Sequence, residues 1–305
     1  MTEDLISKKE VYFPSYLGHN DNLITLLNRT TKILCEWFSK SEKYGPLPFD
    51  ENFKCIMPDE GGNSTDDLFS EIKVLLNNSF NPVHPGSLAH LDPPPLIFSI
   101  LGDLIAAGLN NNLLAYELSP SITLLEDSLC KWFAKKIGFN DSSGGIAASG
   151  GTLSNLNALI AARHNAGLDS DPNSVLLVSE DAHSSFIKCT RIMGLDEANL
   201  VRIKTDNKGC IDIQNLRKTL HKCSIDNKKI FAVVATLGTT IRGAIDPIDD
   251  ISKICKEKSI WLHIDGSIGG VFALTSFPKE CLNNINQANS ITINPQKIIG
   301  ITKTS

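Results

Sequence analysis

The chain has 305 residues, 29 Lys+Arg against 34 Asp+Glu, a net charge of −5, and a composition 42% hydrophobic and 21% charged. This is the make-up of a globular chain with a sizeable core, either about two domains or one large α/β domain with appendages. Mild acidity without a basic cluster argues against nucleic acid as the main partner, and no apolar run reaches the roughly 18 residues of a membrane span.

The opening MTEDLISKKE has no apolar core of the kind a signal peptide needs, so a cytoplasmic chain is expected. The eight cysteines form no C-x-x-C pair. They read as reduced, mostly packing thiols, with neither a disulfide framework nor a structural zinc site. From residue 21 to 44, Leu23, Ile24, Leu27, Ile33, Leu34, Trp37 and Phe38 follow helical spacing, and Pro46-Leu47-Pro48 stops the helix. Ser64-Thr65, followed by Asp67, opens a second helix to about Asn78. Residues 1–80 thus read as an N-terminal helical segment.

Pro82, Pro85 and Pro93-Pro94-Pro95 mark a loop. The helix expected after it, at about 95–109, is apolar nearly all round, which predicts burial. Ser119-Pro120 supplies an N-cap and a first-turn proline for a helix to about Gly138. Beyond residue 144, short apolar runs at 175–179, 200–203, 230–235, 260–264 and 290–293 alternate with amphipathic segments at 152–166, 184–194, 212–223 and 246–258. That alternation predicts βαβ units and a mostly parallel sheet. Such sheets bind ligands beyond the carboxyl ends of their strands.

The polar residues at those ends carry the chemistry. Ser149-Gly150-Gly151-Thr152 opens a helix, where glycines allow close backbone approach and free N–H groups favour an anion. The stretch nearly spells a nucleotide-binding loop, but Gly151 stands where the required lysine would be. His183 follows the first strand, Thr239-Thr240 the third and Asp265 the fourth; Lys297 follows the last. Alone, each has an ordinary explanation: a helix-opening turn, a structural histidine, turn threonines, a capping aspartate, a surface lysine. His263, two residues before Asp265 and on the same strand face, reads as a satisfied core histidine. Converging on one crevice, the others are the set that pyridoxal phosphate requires: a Schiff-base lysine, an acid for the pyridinium nitrogen and a phosphate site.

Seven segments make the resemblance specific: HPGSLAHLDPPP (84–95), ELSPSITLLED (117–127), SGGTLSNLNALIAAR (149–163), SEDAHSSFIKC (179–189), ATLGTTIRGAIDPI (235–248), WLHIDGSIGG (261–270) and NSITINPQKIIGITKTS (289–305). From about residue 65 onward the chain resembles the group II pyridoxal-phosphate-dependent amino-acid decarboxylases, which include glutamate, aromatic-amino-acid and 2,4-diaminobutyrate decarboxylases. The resemblance implies a fold-type-I α/β large domain over residues 81–305, with a seven-stranded-type, mostly parallel sheet. It implies that Lys297 forms the Schiff base, that Asp265 pairs with the pyridinium nitrogen and that His183 stacks on the ring close to the reacting carbon. Gly151 and Thr152 would hold the phosphate with help from Asn294, Thr240 would contact the cofactor near Asp265, and Ser267 would lie under the opposite ring face.

Three departures carry expectations of their own. Gln296 stands where many members have histidine; it can still donate to a phosphate oxygen but carries no charge. The 84–95 segment lacks the aromatic residues of the aromatic-amino-acid branch and the Phe-Asn pair of glutamate decarboxylases, and its AHL-x-x-PP pattern is closer to the diaminobutyrate branch. The chain ends eight residues after Lys297, so the mobile catalytic loop and small C-terminal domain of the family are expected to be absent. The implied function is α-decarboxylation of an L-amino acid by a homodimer with its sites at the interface. The alternatives are another reaction of the same fold type, such as transamination or aldehyde formation, or a truncated chain that binds the cofactor without turnover.

Overall fold

The computed structural model describes Pro14 and residues 20–47, 53–54, 64–88, 91–276 and 282–303. It divides into two compact units, Met1–Pro94 and Pro95–Ser305. Cys55, Cys281 and the Ala89-His90 pair of the AHL-x-x-PP pattern lie outside the described residues. The six cysteines within them are free thiols.

The first unit is helical. Helix α1 (Asp21–Ser39) ends at Lys40 and a short α2 (Ser41–Tyr44) follows, so the expected single helix is broken once. Helix α3 (Thr65–Asn77) starts as its sequence predicts, with Ser64 Oγ accepting the Asp67 N–H at 3.2 Å. Arg29 of α1 ties the two long helices together: its guanidinium is 2.7 Å from Asp66 and lies over the Phe69 ring at 4.1 Å.

The second unit opens with α4 (Ile97–Leu109) and α5 (Pro120–Ile137). The burial predicted for α4 is not met: none of its residues is buried, and Ile97 and Phe98 are 76% and 86% exposed. A helix that is apolar all round needs cover on every side, and the described residues do not supply it. Pro120 occupies the first turn of α5 as expected, but the Ser119 hydroxyl makes no capping bond. Gly138 ends α5 at φ 93°, a left-handed conformation that suits glycine.

The rest is a βαβ succession: α6 (Gly151–Asn165), β1 (Ser174–Ser179), α7 (Ser185–Ile192), β2 (Leu200–Ile203), α8 (Ile213–Ile225), β3 (Lys229–Thr236), α9 (Ile248–Glu257), β4 (Trp261–Gly266), β5 (Ser290–Ile293) and α10 (Pro295–Ile298). The five strands pair in parallel in the order β2-β1-β3-β4-β5. The two further strands of a seven-stranded sheet are not formed by the described residues. The stretch before α6 runs as turns and coil, and its glycines at 144, 145 and 150 weaken any strand pairing.

Both sheet faces are covered, as parallel sheets require. Val175, Leu177, Val233, Ala235, Leu262 and Ile264 pack on one face against Leu216 and Leu220 of α8 and Ile251 and Ile254 of α9. Leu176, Val178, Ala232 and Val234 pack on the other against Leu156 and Leu159 of α6 and Phe186 of α7. Strand order reverses between β1 and β3, which opens a crevice at the carboxyl ends of those strands.

One buried carboxylate braces that edge. Asp246, 2% exposed, accepts the backbone N–H groups of Ile211 and Thr236, each at 2.7 Å. Burial outweighs these two bonds and pushes its carboxyl up from 3.8 to about 6. The folded chain therefore binds this proton more tightly than the unfolded chain, and the group loses stability as pH rises through that window. The stability of the native protein minus that of Asp246→Asn is expected to be greatest below about pH 4 and to fall by roughly 2–3 kcal/mol by about pH 7. Urea unfolding at a series of pH values measures it; a flat or rising difference contradicts the assignment.

Candidate active site

A cavity of about 170 Å³ lies at the carboxyl edge of the sheet. Its walls come from five places in the chain. Gly151, Thr152 and Asn155 belong to the first turns of α6; His183 and Ser185 follow β1; Thr236 ends β3 and Gly238, Thr239 and Thr240 follow it; Asp265, Ser267 and Ile268 lie at and beyond the end of β4; Asn294 and Lys297 follow β5. Apart from the α6 residues, the wall residues sit where strands stop, beyond the hydrophobic layers.

The α6 N-terminus forms one wall. Its first N–H groups lack intrahelical partners and form the positive end of the helix dipole. A Cβ on Gly151 would come within 2.7 Å of Asn294 Nδ2 and 2.8 Å of Ser267 Oγ, so only glycine leaves these three groups side by side. Asn294 precedes α10 without capping it, which leaves its amide for the cavity. Lys297 is half-buried in the short helix that follows.

Asp265 forms another part of the wall. It is 5% exposed, and register places it between Thr236 of β3 and Thr292 of β5. Its Oδ1 accepts the Ser267 N–H at 3.1 Å and its Oδ2 accepts from Asn155 Nδ2 at 3.2 Å. Asn155 Oδ1 lies 3.0 Å from His263 Nε2, His263 Nδ1 lies 2.8 Å from Ser290 Oγ, and Trp261 Nε1 donates to that same oxygen at 2.8 Å. His263 is fully buried, and burial lowers its pKa despite the opposing pull of Asp265. His183, by contrast, is exposed, and its Nδ1 accepts the Ser185 N–H at 3.1 Å.

Residues 52–304 match the family model described as the pyridoxal-dependent decarboxylase conserved domain. The chain belongs to the pyridoxal-dependent decarboxylase family. It is 29% identical over 270 residues to an L-aspartate decarboxylase of Metarhizium robertsii, covering 86% of this chain and 54% of that one. It is 30% identical over 258 residues to an L-2,4-diaminobutyrate decarboxylase of Acinetobacter baumannii, covering 78% of this chain and 51% of that one. The chain thus spans about half the length of the curated relatives it matches. Its fold is that of the glutamate decarboxylase domain of a Vibrio parahaemolyticus diaminobutyrate-pyruvate transaminase and L-2,4-diaminobutyrate decarboxylase, with a TM-score of 0.90 at 23% identity over 99% of this chain and 69% of that one.

The cofactor of this decarboxylase family fits the cavity on the cavity's own chemistry. Ser185 Oγ and Thr236 Oγ1 are buried polar atoms with no hydrogen-bond partner, and both residues line it. Orphaned hydroxyls of this kind cost free energy unless a ligand or water meets them. Glycine-lined helix N–H groups suit a phosphate, and a carboxylate held only by neutral donors suits a cationic ring nitrogen.

The structure brings Lys297, Asp265, His183, Gly151, Thr152, Thr240, Asn294 and Ser267 to one cavity; Gln296 is not among its lining residues. Sequence reasoning missed Asn155, Ser185 and Thr236. Asn155 is four residues beyond Gly151 and so on the same helix face, a signal that could have found it. His263 is a satisfied core histidine, as expected, with both ring nitrogens bonded.

Gly151→Ala is expected to weaken pyridoxal phosphate binding about tenfold or more by displacing Asn294 or Ser267, while costing the fold no more than about 1–3 kcal/mol. Absorbance titration and urea unfolding of the variant measure the two effects. Unchanged cofactor affinity contradicts the close approach drawn here.

Proposed function

We propose that this chain is the cofactor-holding part of an enzyme that removes the α-carboxyl group of an L-amino acid. The observation that carries the reading is the convergence of Lys297, Asp265 and the α6 N-terminus on one cavity. Residues 81–305 are then the large domain and 1–80 the N-terminal helical segment.

When bound, pyridoxal phosphate supplies the conjugated electron sink for carbanion chemistry that no side chain provides. The residues of the chain do the rest. Lys297 would offer the amine that holds the cofactor at its aldehyde carbon and that gives way to the substrate amine. Gly151 and Thr152, with help from Asn294, would hold the phosphate at a point remote from the reaction, which would orient the ring without taking part in bond breaking, and Ser267 would face the ring. Asp265 accepts the hydrogen bond of a protonated ring nitrogen. His183, which lines the cavity, would stack on the cofactor ring. Because its Nδ1 accepts from Ser185, the proton of the neutral ring sits on Nε2, free to point at ligand.

The working form on this reading is a cytoplasmic homodimer. The free thiols fit a reducing compartment. The uncovered apolar helix α4, with Leu113 and Leu114 beyond it at 45% and 87% exposure, fits burial against a second copy.

Incubating the cofactor-loaded protein with acidic, aromatic and diamino L-amino acids, while sizing it by light scattering, tests the proposal. Equimolar CO2 and amine from a particle of two chains is the expected result. Asp265→Ala should lose roughly 10²–10³-fold in rate, the loss that follows from leaving a buried charge unpaired. Keto acid or aldehyde in place of amine contradicts it, as does full activity in the variant.

A further inference from the structure

The chain of hydrogen bonds behind Asp265 has a direction fixed from both ends. At one end is a carboxylate, which only accepts; at the other is the Trp261 indole, which only donates. Asn155 must therefore turn its Nδ2 toward Asp265 Oδ2, at 3.2 Å. That leaves its Oδ1 facing His263 Nε2 at 3.0 Å, so Nε2 carries a proton. In the neutral ring Nδ1 is then bare, and Ser290 Oγ, which accepts from Trp261, turns its own hydrogen to that nitrogen, 2.8 Å away. Every donor meets an acceptor with one proton on the imidazole. The other neutral tautomer would set a bare Nε2 against the amide oxygen. A doubly protonated ring would leave the Ser290 hydrogen without a partner.

Asn155 and His263 are 1% and 0% exposed. With one proton on the imidazole, none of the four partners carries a charge. Asp265 is thus gripped on Oδ2 without a cation beside it in the relay, and its second grip, on Oδ1, is the backbone N–H of Ser267. The counter-charge is left for a ligand.

We propose that Asn155 is a positioning residue that aims the Asp265 carboxylate at the cofactor ring nitrogen, and that His263, as the neutral Nε2–H tautomer, locks Asn155 in the one amide orientation that can do so. This rests on the pyridoxal phosphate reading of the cavity. The amide cannot flip without setting two hydrogen-bearing groups face to face at His263 and two acceptors face to face at Asp265. The carboxylate plane is then set before ligand arrives, so less ordering is left to the binding step.

Two measurements on the full chain test it. The first is 15N NMR of histidine-labelled protein without cofactor, with His263 assigned by its loss in His263→Gln. One protonated nitrogen at Nε2 and a bare Nδ1 are expected; the Nδ1–H tautomer or a cationic ring overturns the proposal. The second is the dissociation constant of pyridoxal phosphate by absorbance titration. His263→Leu and Asn155→Leu should each weaken it roughly tenfold to a hundredfold, as loss of a buried bond to a charged group predicts. His263→Gln, whose amide still donates to Asn155, should stay within about threefold. Leucine variants that bind as tightly as the native chain overturn the proposal, as does a glutamine variant as weak as leucine. A native chain that takes up no pyridoxal phosphate sinks the decarboxylase reading instead, and the NMR result still decides the direction of the relay.

Discussion

A carboxylate buried at the end of a central parallel strand is the constraint on which this site depends. Taking Asp265 out of water is costly unless its oxygens find partners. The protein meets that cost with one backbone N–H and one side-chain amide, and stations no basic side chain on either bond. The arrangement is satisfied in hydrogen bonds but left open in charge. The rest of the cavity is arranged around Asp265: the strand register that fixes it, the α6 turn that supplies Asn155 and the lysine that follows β5.

The sheet makes that placement possible. Parallel strands β3, β4 and β5 hold Thr236, Asp265 and Thr292 in one row, and the reversal of strand order beside β3 opens the crevice toward β1. The same packing that buries Val234 and Ile264 on opposite faces keeps the strand ends level. Function therefore rests on the core through register: a one-residue slip of β4 would turn Asp265 to the other sheet face. Asp246 adds a second brace by tying the end of β3 to the segment before α8.

Much of this was legible in the sequence because strand ends in such sheets are where ligands bind. Apolar runs located all five strands to within a residue or two, and the polar residues after them led to Lys297, Asp265, His183 and Thr240. Gly151 and Thr152 were legible only in combination: a helix-opening glycine turn has an ordinary explanation alone, and the lysine and aspartate converging on the same sheet edge gave it a ligand to hold. Asn155 was missed although its spacing of four from Gly151 puts it on the same helix face, because the sequence does not show that this face meets Asp265. The relay through Ser290 and Trp261 was invisible for the same reason: β4 and β5 meet only through tertiary pairing. The one clear miss of packing, α4, came from reading composition as burial. An apolar helix states that it needs cover; it does not state that its own chain provides it.

The central claim is that Lys297 is the amine of a pyridoxal phosphate site. Borohydride reduction of the chain in the presence of pyridoxal phosphate, followed by peptide mass mapping, tests it most directly. A pyridoxyl group on the peptide that carries Lys297, and on no other lysine at stoichiometric level, is the predicted result. A folded chain that gives no adduct, or one labelled at another lysine with Lys297 unmodified, would contradict the account.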